Sequence, residues 1–198
     1  MSRPPGVWVT GPSRTGTSMT AGLFAAHGVF WGVPSCERNY PADEHNPKGY
    51  FEHGEITKRL ETRDFSDWPE AWWAALEADG WDGSTPWGFK RGPRVWPWVK
   101  VLEPSVIVVT QRPLKQIAAS RKRWIGKRSI STIHKTEEKI RAILKEAHCP
   151  VIRVNTARMV RSDWSQIRLA FDVLGVRFSD TIAESWIDPD LWNRGKSK

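Results

Sequence analysis

Cysteine is nearly absent from this chain: Cys36 and Cys149 are the only two among 198 residues. So few thiols make neither a disulfide framework nor a zinc site, and a reducing cytoplasm is the expected compartment. Long apolar runs are missing too. No stretch approaches the roughly 18 residues that a bilayer span requires. The opening Met1-Ser2-Arg3-Pro4-Pro5-Gly6 lacks the apolar core and cleavage pattern of a secretory signal. Acidic residues are in deficit, with 22 Asp and Glu against 30 Lys and Arg. The resulting net charge of +8 suits an anionic ligand or partner. Repeats, low-complexity tracts and composition breaks are also lacking, so one domain over residues 1–198 is expected. At 39% hydrophobic and 26% charged, the composition indicates neither a disordered chain nor a membrane protein.

Tryptophan, in contrast, is abundant at 13 residues. Most are expected to pack a core, while some between Trp68 and Trp98 can also offer a stacking platform to a substrate. The basic residues are spread along the chain. Their one modest cluster, Arg121, Lys122, Arg123, Lys127 and Arg128, reads equally well as a solvated helix end and as a functional patch.

Hydrophobic patterning divides the chain into alternating strands and helices. Val7–Thr10 is a short buried strand broken by Gly11-Pro12, and Gly16 to His27 has helical spacing that stops at Gly28. Phe30–Lys48 is rich in Pro, Asn and Gly and reads as loop. Helices are expected at Glu55–Phe65 and Glu70–Ala78, then a strand at Trp87–Lys90 and a turn with a short helix after Gly92-Pro93. Ser105–Thr110 is a continuous β-branched strand of the kind buried on both faces, and Pro113 opens the next helix. Ser131–Ala147 is an amphipathic helix, Pro150–Val154 a strand, and Asp163 the cap of a helix reaching Leu174. Such alternation predicts an α/β fold, a parallel sheet wrapped by helices.

The first strand, loop and helix carry Gly11-Pro12-Ser13-Arg14-Thr15-Gly16-Thr17-Ser18. In that arrangement, successive backbone N–H groups and the positive end of a helix converge on one spot that favours phosphate or sulfate. The spacing fits G-x-x-x-x-G-K-[S/T] except that Thr17 stands where the pattern has lysine. A kinase needs that lysine, and also a carboxylate holding Mg²⁺ at a nearby strand end. Here the strand Val106–Val109 runs into Thr110-Gln111-Arg112, with a cation in place of the carboxylate. Arg14 can supply the charge that the lysine would have given.

Two segments together resemble the sulfotransferases that use 3′-phosphoadenosine 5′-phosphosulfate (PAPS), particularly the bacterial members. Arg14-Thr15-Gly16-Thr17-Ser18 is similar to the family's 5′-phosphosulfate loop, R/K-S-G-T-S/T. Arg112-Pro113 at a strand end, with Ser120 eight residues after the arginine, is similar to its 3′-phosphate motif, although the usual Asp before Pro is missing. Weaker likenesses run through Asn46–Glu52, Gly88–Arg94, Leu174–Val176 and Ile187–Leu191. The glycine-rich basic C-terminal segment of many members is reduced to Arg194-Gly195-Lys196.

The resemblance implies a three-layer fold like that of P-loop NTPases, with a central parallel β-sheet flanked by helices. It implies PAPS as donor and PAP as product, with no metal required. Arg14, with the backbone and hydroxyls of Thr15, Gly16, Thr17 and Ser18, would hold the 5′-phosphosulfate, and Arg112 with Ser120 the 3′-phosphate. Arg14 and Lys90 would stabilise the transferred group, with Lys48 and Arg94 as rivals to Lys90. Glu52 would be the base, with His53 and Glu55 as alternatives. A hydroxyl or amine acceptor, its identity open, completes the partners. A P-loop kinase and a non-enzymatic nucleotide- or nucleic-acid-binding module remain competing readings. The module ranks last because it leaves two separately spaced phosphate motifs without a purpose.

Overall fold

The computed structural model describes residues 3–32, 46–125 and 131–193. Four strands, β1 (Gly6–Thr10), β2 (Trp87–Lys90), β3 (Val106–Gln111) and β4 (Val151–Asn155), form one parallel sheet in the order β2-β1-β3-β4. Val7 stands opposite both Gly88 and Val106, and Ile107 opposite Val151, so all four C-terminal strand ends share one edge.

Side chains alternate across the sheet, as strand geometry requires. Val7, Val9, Val106 and Val108 face one core, and Trp8, Ile107 and Val109 face the other. Helices α1 (Thr17–Ala26), α8 (Ser165–Leu174) and α9 (Asp180–Trp186) close the first core through Leu23, Phe24, Ile167, Phe171 and Ala183. Helices α2 (Gly54–Thr62), α3 (Glu70–Ala78), α4 (Trp96–Val99) and α6 (Ser131–Glu146) close the second through Ile56, Trp72, Val99 and Ile140. Helix α5 (Leu114–Ile125) follows β3, and the short helices α7 (Thr156–Met159) and α10 (Pro189–Asn193) complete the set among the described residues. The expected helix–sheet–helix layering is therefore present.

Boundaries differ where a cap decides them. Helix α2 begins one residue earlier than its pattern suggested, because the His53 ring accepts the Glu55 N–H. It stops at Thr62, where Arg63 turns left-handed. The N-cap of α8 is Trp164 rather than the expected Asp163, which sits one residue earlier and accepts the Ser165 N–H at 3.2 Å. Helices α7, α9 and α10 are too short for helical periodicity to reveal them. Between Trp68 and Trp98 the described indoles are buried or half-buried: Trp72, Trp73, Trp81, Trp87 and Trp96 belong to the second core, and Trp68 and Trp98 pack beside it. The expected Phe30–Lys48 loop lies partly outside the described residues, as do Lys127, Arg128 and Arg194–Lys196.

Candidate functional site

The loop between β1 and α1 is built from two left-handed residues, Arg14 (φ 72°) and Gly16 (φ 94°), closed by Thr15 N–H donating to the Pro12 carbonyl at 3.3 Å. Glycine makes the second of these inexpensive. The first intrahelical bond of α1 is Thr20 N–H to the Gly16 carbonyl, so the helix's own ladder leaves over the amides of Thr17, Ser18 and Met19. Gly16 has no side chain to cap them, and the first turn holds no acidic residue. The first turn of α1 thus sets no acidic side chain of its own against the helix's positive end.

Three threonines lock this loop to the sheet. The Thr15 hydroxyl donates to the Pro12 carbonyl at 2.7 Å and lies 2.6 Å from the Thr110 hydroxyl, which in turn donates to the Thr10 carbonyl at 3.3 Å. From the end of β4, the Thr156 hydroxyl shares its proton between the carbonyls of Thr15 (2.7 Å) and Gln111 (3.0 Å). Thr15 is therefore turned inward, with hydroxyl and amide both engaged by protein. That revises the expectation that its hydroxyl faces a ligand. Thr17 and Ser18, half-buried on the first turn of α1, remain beside the loop.

The crevice beyond β1 and β3 is where the chain reverses direction across the sheet: β2 lies to one side of β1, and β3 and β4 to the other. Open parallel sheets bind ligands at such a reversal, outside the carboxyl ends of the strands. Here it is spanned by a direct contact, Arg14 Nε donating to Ser120 Oγ at 3.1 Å, with Ser120 buried in α5. Arg112 follows β3 directly, on the same edge as the loop, and its Nε donates to Gln116 Oε1 at 3.0 Å. Ser120 of the second motif thus touches Arg14 of the first, and Arg112 lies on the same edge of the sheet as the loop.

On the β2 side of the loop stands Lys90, 5% exposed. Its ammonium donates to Ser18 Oγ (3.1 Å), the Tyr50 carbonyl (2.5 Å) and Glu52 Oε1 (2.9 Å), three acceptors for three hydrogens. Burial, and then the positive charge of Arg14, pull Lys90 down to about 7; the Glu52 carboxylate opposes them. Glu52 Oε2 pairs with Arg91, so one carboxylate bridges two cations on consecutive residues. The other candidates are drawn elsewhere. His53 is buried, its Nε2–H directed at Asp79 Oδ2 (3.1 Å) and its Nδ1 used in the α2 cap, while Glu55 pairs with Arg59 at 2.8 Å. Lys48 lies over the Trp186 ring, and Arg94 is exposed on the turn after β2.

No protein-family model and no curated protein matches the chain. Solved structures do. The sulfotransferase domain of the Synechococcus PCC 7002 olefin synthase superimposes with a TM-score of 0.56 at 15% identity, over 100% of this chain and 90% of that one. The fold is that of a sulfotransferase domain. The sulfotransferase domain of the curacin biosynthetic pathway gives 0.55 at 12% identity, over 99% and 92% of the two chains. Sulfotransferase STF1 of Mycobacterium tuberculosis H37Rv gives 0.51 at 14%, over 94% and 71%. Within this sulfotransferase fold, sequence reasoning missed Arg91, the Tyr50 carbonyl and Thr156. Arg91 adjoins Lys90 and carried a signal of charge alone; Tyr50 acts through its own carbonyl, and the Thr156 hydroxyl donates to backbone oxygens distant in sequence, neither of which a motif encodes.

Proposed function

We propose that the protein transfers a sulfuryl group from PAPS to a hydroxyl or amine acceptor. The observation that carries this reading is the Arg14–Ser120 hydrogen bond across the β1/β3 crevice. It ties the loop at the N-terminus of α1, suited to one anion, to α5, the helix that follows Arg112 and the β3 end, and a donor phosphorylated at both 3′ and 5′ positions needs two such anion sites on one side of the sheet. The fold supports the same reading at the level of architecture.

In this reading Arg14 and the amides from Gly16 to Ser18 hold the 5′-phosphosulfate, while Arg112 and Ser120 hold the 3′-phosphate. Thr15 keeps the loop in shape. The acceptor attacks sulfur in line, a new S–O or S–N bond forms as the sulfur–phosphate oxygen bond breaks, and PAP leaves. Glu52 takes the acceptor's proton. A sulfuryl oxygen replaces the Ser18 hydroxyl as the third partner of Lys90, so charge accumulating on the transferred group meets a buried cation. A kinase reading is disfavoured because Thr17 stands in the lysine position of the loop.

Thermal shift with PAP, AMP, ADP and ATP, each with and without Mg²⁺, tests the assignment. PAP at about a hundred times its Kd should stabilise the fold by about 2.7 kcal/mol without metal, and AMP much less. Stabilisation by ATP that depends on Mg²⁺ and exceeds that of PAP would refute it.

A further inference from the structure

The C-terminal part of the chain reaches the site through one side chain. Helix α9 ends in Trp186, whose indole lies across α1: Nε1 donates to the Met19 carbonyl at 3.0 Å. A Cβ on Gly22 would stand 2.0 Å from that ring and 2.8 Å from the ring of Phe51, so only glycine admits both. Trp186 also holds the segment that leads to Glu52. Phe51 meets its ring edge-on at 5.8 Å, the Lys48 ammonium sits 4.8 Å above it, and the same ammonium donates to the Trp186 carbonyl.

That segment needs support. Phe51 has a left-handed backbone (φ 55°), a conformation unfavourable for an aromatic residue unless its surroundings enforce it. Its carbonyl accepts from Trp31 Nε1 at 3.1 Å. Immediately before it the Tyr50 carbonyl accepts from Ser18 and Lys90, and immediately after it Glu52 pairs with Lys90 and Arg91. The strained residue thus sits between the two groups that fix Lys90.

We propose that Trp186 is a positioning residue: it clamps residues 48–51 onto α1 and so holds the Tyr50 carbonyl and the Glu52 carboxylate against Lys90. The catalytic meaning rests on the sulfotransferase reading; the clamp itself does not.

Trp186→Ala and Gly22→Ala, the second displacing the Trp186 and Phe51 rings from α1 without altering either, test the clamp by amide exchange and by acetylation of Lys90. Exchange over residues 46–52 should quicken about tenfold while that over Val106–Gln111 holds. Acetylation of Lys90 by acetic anhydride, normalised to the exposed Lys115, should rise to a similar degree. Release of PAP from PAPS with water as acceptor should slow about tenfold while the PAP thermal shift stays intact. Trp186→Phe, which keeps a ring but loses the Nε1–H, should fall between, and it serves if the alanine variant does not fold. Wild-type exchange over 46–52 in folded variants, or equal acceleration over Val106–Gln111, would overturn the clamp. A wild-type protein that PAP fails to stabilise would instead remove the sulfotransferase reading, leaving the exchange result to decide the clamp alone.

Discussion

Replacing Glu52 by Gln removes one negative charge from a cluster that otherwise contains Lys90, Arg91 and the nearby Arg14. The glutamine oxygen can still accept from Lys90, so the change isolates charge from hydrogen bonding. At 2.9 Å and an effective dielectric of about 20, the Lys90–Glu52 attraction amounts to about 6 kcal/mol before desolvation is subtracted. Glu52 is 23% exposed, which moderates the loss, and about 3 kcal/mol near pH 6 is the expected destabilisation. For a chain of this length that lowers Tm by about 6–12 °C. The effect should depend on pH. Lys90 sits near 7 in the folded protein against an ordinary 10.5, so between those values the unfolded chain binds the extra proton and this group's contribution to stability rises with pH. At about pH 9 Lys90 is neutral in the wild type, and the variant should lose only the Arg91 share, about 1 kcal/mol. Urea unfolding followed by circular dichroism at both pH values provides the comparison. A loss below about 0.5 kcal/mol at the lower pH, or a penalty that grows toward the higher one, would refute the charge cluster.

Two further substitutions address the crevice and the loop. Arg112→Ala should weaken PAP by about tenfold to a hundredfold in calorimetry, the value of a charge-assisted contact, and weaken adenosine 5′-phosphosulfate much less. Equal losses for both ligands would take Arg112 out of the 3′-phosphate role. Thr156→Val removes the one proton shared by the Thr15 and Gln111 carbonyls and should cost about 1–3 kcal/mol in urea unfolding. PAP binding should weaken with it, and Thr156→Ser should restore both. A valine variant with wild-type PAP affinity would show that the loop keeps its shape without this brace.

Much of the sheet and the anion-binding loop was legible because each rests on local rules. A β-branched run such as Val106–Val109 has few alternatives to a buried strand, and Gly11 to Ser18 encodes its turn by spacing. The pairing of Arg14 with Ser120 was not legible as a contact, because 106 residues separate them and only the β1–β3 register brings them together. Lys90 was singled out at a strand end, but its three acceptors arrive from α1 and from the segment before α2. Arg91 escaped notice for the same reason: its partner Glu52 is distant in the chain. Thr15 matched a motif in which a hydroxyl faces the ligand. Sequence could not reveal that Thr110 and Pro12 compete for that hydroxyl from within.

The two faces of the sheet differ sharply in their chromophores. Trp8, Trp72, Trp73, Trp81, Trp87 and Trp96 are buried on one side, whereas the other buries Trp31 and Trp164. Ultraviolet-excited emission therefore reports chiefly on the indole-rich layer. If emission shifted before helical dichroism declined, the packing of that layer would have loosened while the helices on both faces still held.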